Sequence, residues 1–145
     1  KRILGSLLTW LAENRANVFI VATANNIEDL PPELIRKGRL DEIFFVDLPK
    51  HDVRKQIFTI HLDKRDISQS GIDLEQLAKE SEGFSGSEIE QAVVSAIYSS
   101  YGSDAQVTTE SLVEEIKATR PLSVVMDTQI ENLRHWASSR TVPVD

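Results

Sequence analysis

The sequence predicts an α/β unit followed by a small all-α unit, and three observations carry that prediction. Two short apolar runs, Val18–Ala24 and Ile43–Val46, flank a segment bearing paired prolines and a basic cluster. Behind Pro49 the apolar residues recur only at helical spacing. Charge shifts in the same region: residues 1–65 balance at +2 and residues 66–145 at −9, within a formal total of −7.

Each element has its own local signal. Ile3, Leu4, Leu7, Leu8 and Leu11 trace an amphipathic helix at the start of the chain. Val18–Ala24 is rich in β-branched residues and apolar on both faces, as a buried parallel strand requires. Pro32 suits the first turn of a short helix containing Glu33 to Lys37, which Gly38 ends. Ile43–Val46 is a second short strand, stopped by Pro49. Together these form a strand–helix–strand unit, the repeating piece of an α/β sheet.

The remaining elements are helices. One runs from about Lys50 to Leu62 and presents Val53, Ile57, Ile60 and His61 on one face. Asp73 with Gln76 caps a short helix carrying Leu74, Leu77 and Ala78. Ser85 with Glu88 forms a capping box ahead of the stripe Ile89, Ala92, Val93, Ala96 and Ile97. Leu112, Val113 and Ile116 mark a helix after Thr108-Thr109, broken by Pro121. Thr128 with Glu131 is placed as the cap of a last helix that turns Ile130, Leu133, Trp136 and Ala137 inward. The expected boundaries are residues 1–48, 49–120 and 121–145.

Composition removes several function classes. The chain of 145 residues is long enough to bury a core. It has no cysteine, so neither a disulfide framework nor a thiolate metal site is available. No apolar run approaches the ~20 residues of a membrane helix. The acidic second half disfavours nucleic acid as a partner, because it repels phosphate. Lys1-Arg2 opens in a helical pattern without a methionine, as expected of a fragment.

Few residues carry chemistry. Asn25 follows the first strand, at the carboxyl end where open α/β sheets place ligands. There an amide can bond a water or a phosphate without adding negative charge; the Asn25-Asn26 pair also reads as a plain turn. Arg36 and Arg39 stand three apart and face the same way on a helix end, an arrangement suited to phosphate oxygens and equally readable as a solvated basic turn. His51, His61 and His135 are not at metal-ligand spacing, and no HExxH or nucleophile elbow is present, so no metal site is expected. The segment Gly83 to Glu88 feeds a helix N-terminus, where backbone N–H groups can hold polar atoms. An ordinary capped helix start explains it as well.

In this order the segments resemble the carboxyl-terminal part of an AAA ATPase module, over about Ile3 to Arg120. VFIVATANN resembles the strand ending in the sensor-1 asparagine, and LPPELIRKGRLDEIFFVDLP the second region of homology. RKQIFTIHL resembles the first helix of the AAA lid, and GFSGSEIEQAVVSA the lid segment near adenine. The resemblance implies a partial P-loop NTPase parallel sheet, of which the last two strands are here, joined to the helical lid. Residues 121–145 look like an added helix. The variants ATANN and LPPELIRKGRLD, with the tail pattern Leu133, Arg134, Trp136, Ala137, Arg140, Val142, Pro143, most resemble AAA proteins of cyanobacteria and red-algal plastids.

What the resemblance implies for function is specific. Asn25 would orient the attacking water, while Arg36 and Arg39 would act in trans as arginine fingers on a neighbouring subunit's nucleotide. Ile57, His61, Gly86 and Ser87 would border adenine and ribose. The cofactor would be ATP with Mg²⁺ in the full-length protein, and the assembly a homo-oligomeric ring, usually a hexamer. That ring would remodel a protein substrate or work with an adaptor, in the cytoplasm or a plastid stroma. The phosphate-binding loop, its lysine and the acidic Walker B residues do not occur in these 145 residues, so this chain alone is expected to be inactive. The alternative is a non-catalytic AAA-derived interaction or scaffold module.

Overall fold

The computed structural model describes residues 5–6, 9–10, 13, 18–24, 30, 34, 41–101 and 106–144. It divides into two compact units, residues 47–130 and residues 1–46 with 131–145. Each has its own local logic.

In the larger unit, α1 (His51–Asp63) is followed by α2 (Leu74–Glu80), α3 (Gly86–Tyr101) and α4 (Thr109–Ala118). The cap at Asp73 forms where the sequence places it. Asp73 accepts a bond from the Gln76 N–H at 3.0 Å, and Thr108 with Ser111 closes a capping box at α4. These local bonds satisfy N–H groups that a helix start leaves without partners. α1 packs on α2 and α3, α3 on α4, and α2 on α4. The core they enclose centres on Phe58, Leu62, Leu77, Phe84, Ile89 and Leu112, all buried.

The buried face of α1 differs from the sequence expectation. Arg54, Phe58 and Leu62 point inward, at i, i+4 and i+8, whereas Val53 and Ile60 are exposed. Ile57 lies at the edge of the core. A charged side chain heads this inner row because its donors are matched. Arg54 Nε donates to the Ala78 carbonyl at 3.0 Å and Nη1 to the Pro49 carbonyl at 2.8 Å. The stripe of α3 forms as its periodicity predicts, with Ile89, Ala92, Val93 and Ala96 buried.

Past Pro121 a short helix, α5 (Leu122–Val125), precedes α6 (Asp127–Ala137). Pro121 supplies the fixed, extended turn that starts α5, φ −62° and ψ 144°. α6 already includes Asp127, so Thr128 lies within its first turn rather than at its cap. The Ile130 N–H bonds the Met126 carbonyl at 3.0 Å, which shows the helix propagating from before Thr128. Of the residues expected inward, Ala137 is buried, and Ile130, Leu133 and Trp136 are half-buried.

The smaller unit corrects the expected sheet. Residues 18–24 form no strand and are exposed, Phe19 almost fully. A strand apolar on both faces needs neighbours for its backbone bonds and cover for its side chains, and among the described residues none pairs with it. The second expected strand forms as β1 (Phe44–Phe45) and pairs in parallel with β2 (Val142–Pro143), so the tail contributes a strand as well as a helix. The Val142 and Val144 N–H groups bond the Ile43 and Phe45 carbonyls at 2.9 and 3.2 Å. Between them Pro143 has no N–H to give, and this register asks none of it on the β1 side. Gly5, Ser6, Thr9, Trp10 and Glu13 are helical and exposed; Ile3, Leu4, Leu7, Leu8 and Leu11 lie outside the described residues.

Candidate functional site

α1 and α3 lie in step, and the contact between them gathers the residues of interest. Ile57 and His61 stand one turn apart on α1, as Gly86 and Glu90 do on α3. A Cβ placed on Gly86 would meet Ile57 Cδ1 at 3.7 Å, so the two pack in direct apposition. One turn on, His61 Nδ1 lies 3.5 Å from Glu90 Oε1. Ser87 is exposed beside Gly86, its Oγ 3.1 Å from Ser85 Oγ.

Arg65 organises the far side of this row. Its Nη2 donates to Glu90 Oε1 at 2.8 Å, while Nη1 approaches His61 Nδ1 at 3.2 Å and donates to the His61 carbonyl at 3.1 Å. A guanidinium only donates, so its bond to the ring makes Nδ1 the acceptor and leaves the proton on Nε2. The Arg65 bond holds the Glu90 carboxyl below the usual glutamate range; the positive charges of Arg65 and Lys64 add to it, against partial desolvation.

The loop leading into α3 is fixed from both sides. The Ser85 N–H and Oγ each donate to Glu88 Oε2 at 2.7 Å, and the Glu88 N–H returns a bond to Ser85 Oγ at 3.4 Å. This is the capping box expected from the sequence. The other carboxylate oxygen, Oε1, accepts from the Leu122 N–H at 2.7 Å, a partner that spacing could not reveal.

Of the predicted site residues, Ile57, His61, Gly86 and Ser87 therefore sit along one helix–helix seam. Asn25, Arg36 and Arg39 lie outside the described residues. Arg65 and Glu90 escaped the sequence reading; their only signal was lying four residues beyond His61 and Gly86. An open groove of about 600 Å³ lies toward the other end of α3, lined by Ile67, Ile97, Tyr98, Tyr101 and Val107 among others, and none of the predicted site residues lines it. Among the described residues, no group of three or more His, Cys, Asp or Glu side chains is placed to hold a metal ion. Chemically, the seam offers an apolar surface at Ile57, close backbone approach at Gly86, a hydroxyl at Ser87 and a ring N–H at His61.

Comparison with known proteins defines the class. The ATPase family associated with various cellular activities (AAA) matches residues 1–48, and the AAA+ lid domain matches residues 71–115. This chain belongs to the AAA family. It is 44% identical to the "Uncharacterized AAA domain-containing protein ycf46" of Guillardia theta over 140 residues, 96% of this chain and 28% of that protein. The ycf46 protein of Pyropia yezoensis is also 44% identical, over 94% of this chain. A "Proteasome-activating nucleotidase" of Saccharolobus solfataricus is 43% identical over 101 residues, 69% of this chain and 25% of that protein. The chain thus spans 28% of the length of the ycf46 relatives it matches.

Proposed function

We propose that this chain is the sensing and trans-acting part of an ATP-hydrolysing AAA module. In this reading residues 1–48 complete the nucleotide-binding α/β domain, 49–120 form the lid and 121–145 extend it. Val18–Ala24 would become a strand of the module's parallel sheet once other strands cover it, which accounts for its apolar character on both faces. ATP, with Mg²⁺ on its phosphates, is the cofactor of the full-length protein; this chain alone does not turn it over.

The observation that carries the reading is the seam between α1 and α3. Gly86 has no Cβ, and the space one would fill lies against Ile57 Cδ1 at 3.7 Å. In this reading an apolar base would lie against Ile57 and Gly86, with Ser87 and the His61 Nε2–H as polar contacts at its rim. Asn25 would orient water toward the terminal phosphate. Arg36 and Arg39 would reach the nucleotide of the next subunit in a homo-oligomeric ring, most naturally a hexamer. The ring would couple hydrolysis to remodelling of a protein substrate, in the cytoplasm or a plastid stroma. Among the described residues no helix is long and apolar enough to cross a membrane.

Arg36→Ala in the full-length protein tests this. Nucleotide binding should persist while turnover falls by as much as ~10³-fold, the scale of a lost arginine finger. Unchanged turnover would remove the finger assignment, and loss of binding in equal measure would make Arg36 structural.

A further inference from the structure

Two independent contacts join the loop at the start of α3 to the turn at the start of α5. The first is the Glu88 carboxylate, whose two oxygens divide between them: one takes the Ser85 N–H and hydroxyl, the other the Leu122 N–H, each at 2.7 Å. The second is steric. Gly83 has φ +79°, which L side chains rarely adopt, and the space a Cβ would need there is already taken by the Ser123 hydroxyl, with Pro121 Cβ at 3.8 Å. The turn thus seats where Gly83 has no side chain, and it shares a charged hydrogen-bond acceptor with the loop.

We propose that Glu88 is a positioning residue and the Pro121–Ser123 turn a latch that holds the Gly83–Ser87 loop in its nucleotide-facing shape. The loop's own capping box needs only one oxygen of Glu88. The second oxygen is given to a residue 34 positions away, which ties the shape of the loop to the segment that follows α4. Movement of that segment would release Leu122 from Glu88 and vacate the space above Gly83. The loop would then relax, and the nucleotide would bind less tightly. This inference rests on the reading of Gly86 and Ser87 as nucleotide contacts.

Leu122→Pro is the sharpest variant, because it deletes the N–H that Glu88 accepts while keeping the backbone path of the turn. Pro121 already holds ψ 144°, the conformation a following proline demands, and residue 122 is the first of its helix, where proline is accepted. In the full-length protein, amide hydrogen exchange across Ser85–Glu88 should speed up about tenfold, the scale of one lost charge-assisted hydrogen bond. The Kd for ADP should rise about three- to tenfold on the same scale, with kcat at saturating ATP changing less. Unchanged exchange in the loop overturns the latch, whatever the affinity does. Faster exchange with unchanged ADP affinity overturns the coupling to nucleotide. Gly86→Val separates that failure from failure of the underlying reading, since it crowds Ile57 and leaves the turn intact. If Gly86→Val also leaves ADP affinity unchanged, the loop does not border nucleotide at all. Should Leu122→Pro fold poorly, Glu88→Gln must show the same split between Kd and kcat, and its absence counts against the latch.

Discussion

His61 became a candidate through the family resemblance and not from its place on a helical face, and its chemistry is set by two residues that spacing did not mark. Arg65 engages Nδ1 and the backbone carbonyl of His61 and also holds Glu90, so the imidazole is oriented through one nitrogen and presents the other. The same arrangement makes a pH prediction. Arg65 lowers the folded pKa of Glu90, so the pair adds stability at pH values above the ordinary glutamate range. That contribution fades as pH falls through the lowered folded value, because both states are then protonated. Wild type should therefore melt above Glu90→Gln at neutral pH, and the two should converge in acid. A gap that stays constant down to the acid limit would contradict the assignment. The surroundings of Glu90 are partly open to solvent, so the gap should also shrink with added salt.

At the scale of elements, what was legible was local. Asp73–Gln76 and Ser85–Glu88 are three residues apart, and bonds over that distance depend on little beyond the helix itself. The inner face of α1 was misassigned because a charged residue does not announce itself as core. The row Arg54, Phe58, Leu62 was visible at spacing four, but only the fold supplies the Ala78 and Pro49 carbonyls that make Arg54 tolerable there. Replacing Arg54 by Met should thus cost about 1–2 kcal/mol, since the half-buried Pro49 carbonyl loses this donor and the buried Ala78 carbonyl keeps only the longer bond from Ser81 Oγ, at 3.4 Å. A urea titration reads this as a lowered midpoint with little change in slope. Arg54→Lys should recover only part, because an ammonium cannot span both acceptors in the geometry of the guanidinium fork. An unchanged midpoint for Arg54→Met would mean the two bonds contribute nothing net.

The tail shows how a pattern seen only as resemblance acquires a physical meaning. Arg140 lies over the Trp136 ring, 5.7 Å from its centroid, and Thr141 Oγ1 donates to the Ala137 carbonyl at 2.9 Å. These contacts end α6 and direct Val142–Pro143 onto β1. Such pairing joins residues about a hundred positions apart, and no local signal foretells it. That Val18–Ala24 forms no strand here has the same cause: β-character is legible in a run of residues, but its partner is not.

At the scale of the whole molecule, one nucleotide would lie between two subunits: Asn25 would act on its own subunit's nucleotide, and Arg36 on that of the next. Heterologous contacts of this kind form rings when the rotation between neighbours closes. They also allow one damaged subunit to repair another. Full-length protein carrying Asn25→Ala and full-length protein carrying Arg36→Ala should each be nearly inactive, since every site in either ring lacks one group. Mixed in equal amounts and allowed to exchange subunits, they should recover ATP turnover toward roughly a quarter of wild type, because about that share of heterologous interfaces would unite an intact asparagine with an intact arginine. A mixture no more active than its components would contradict the division of the site between neighbours.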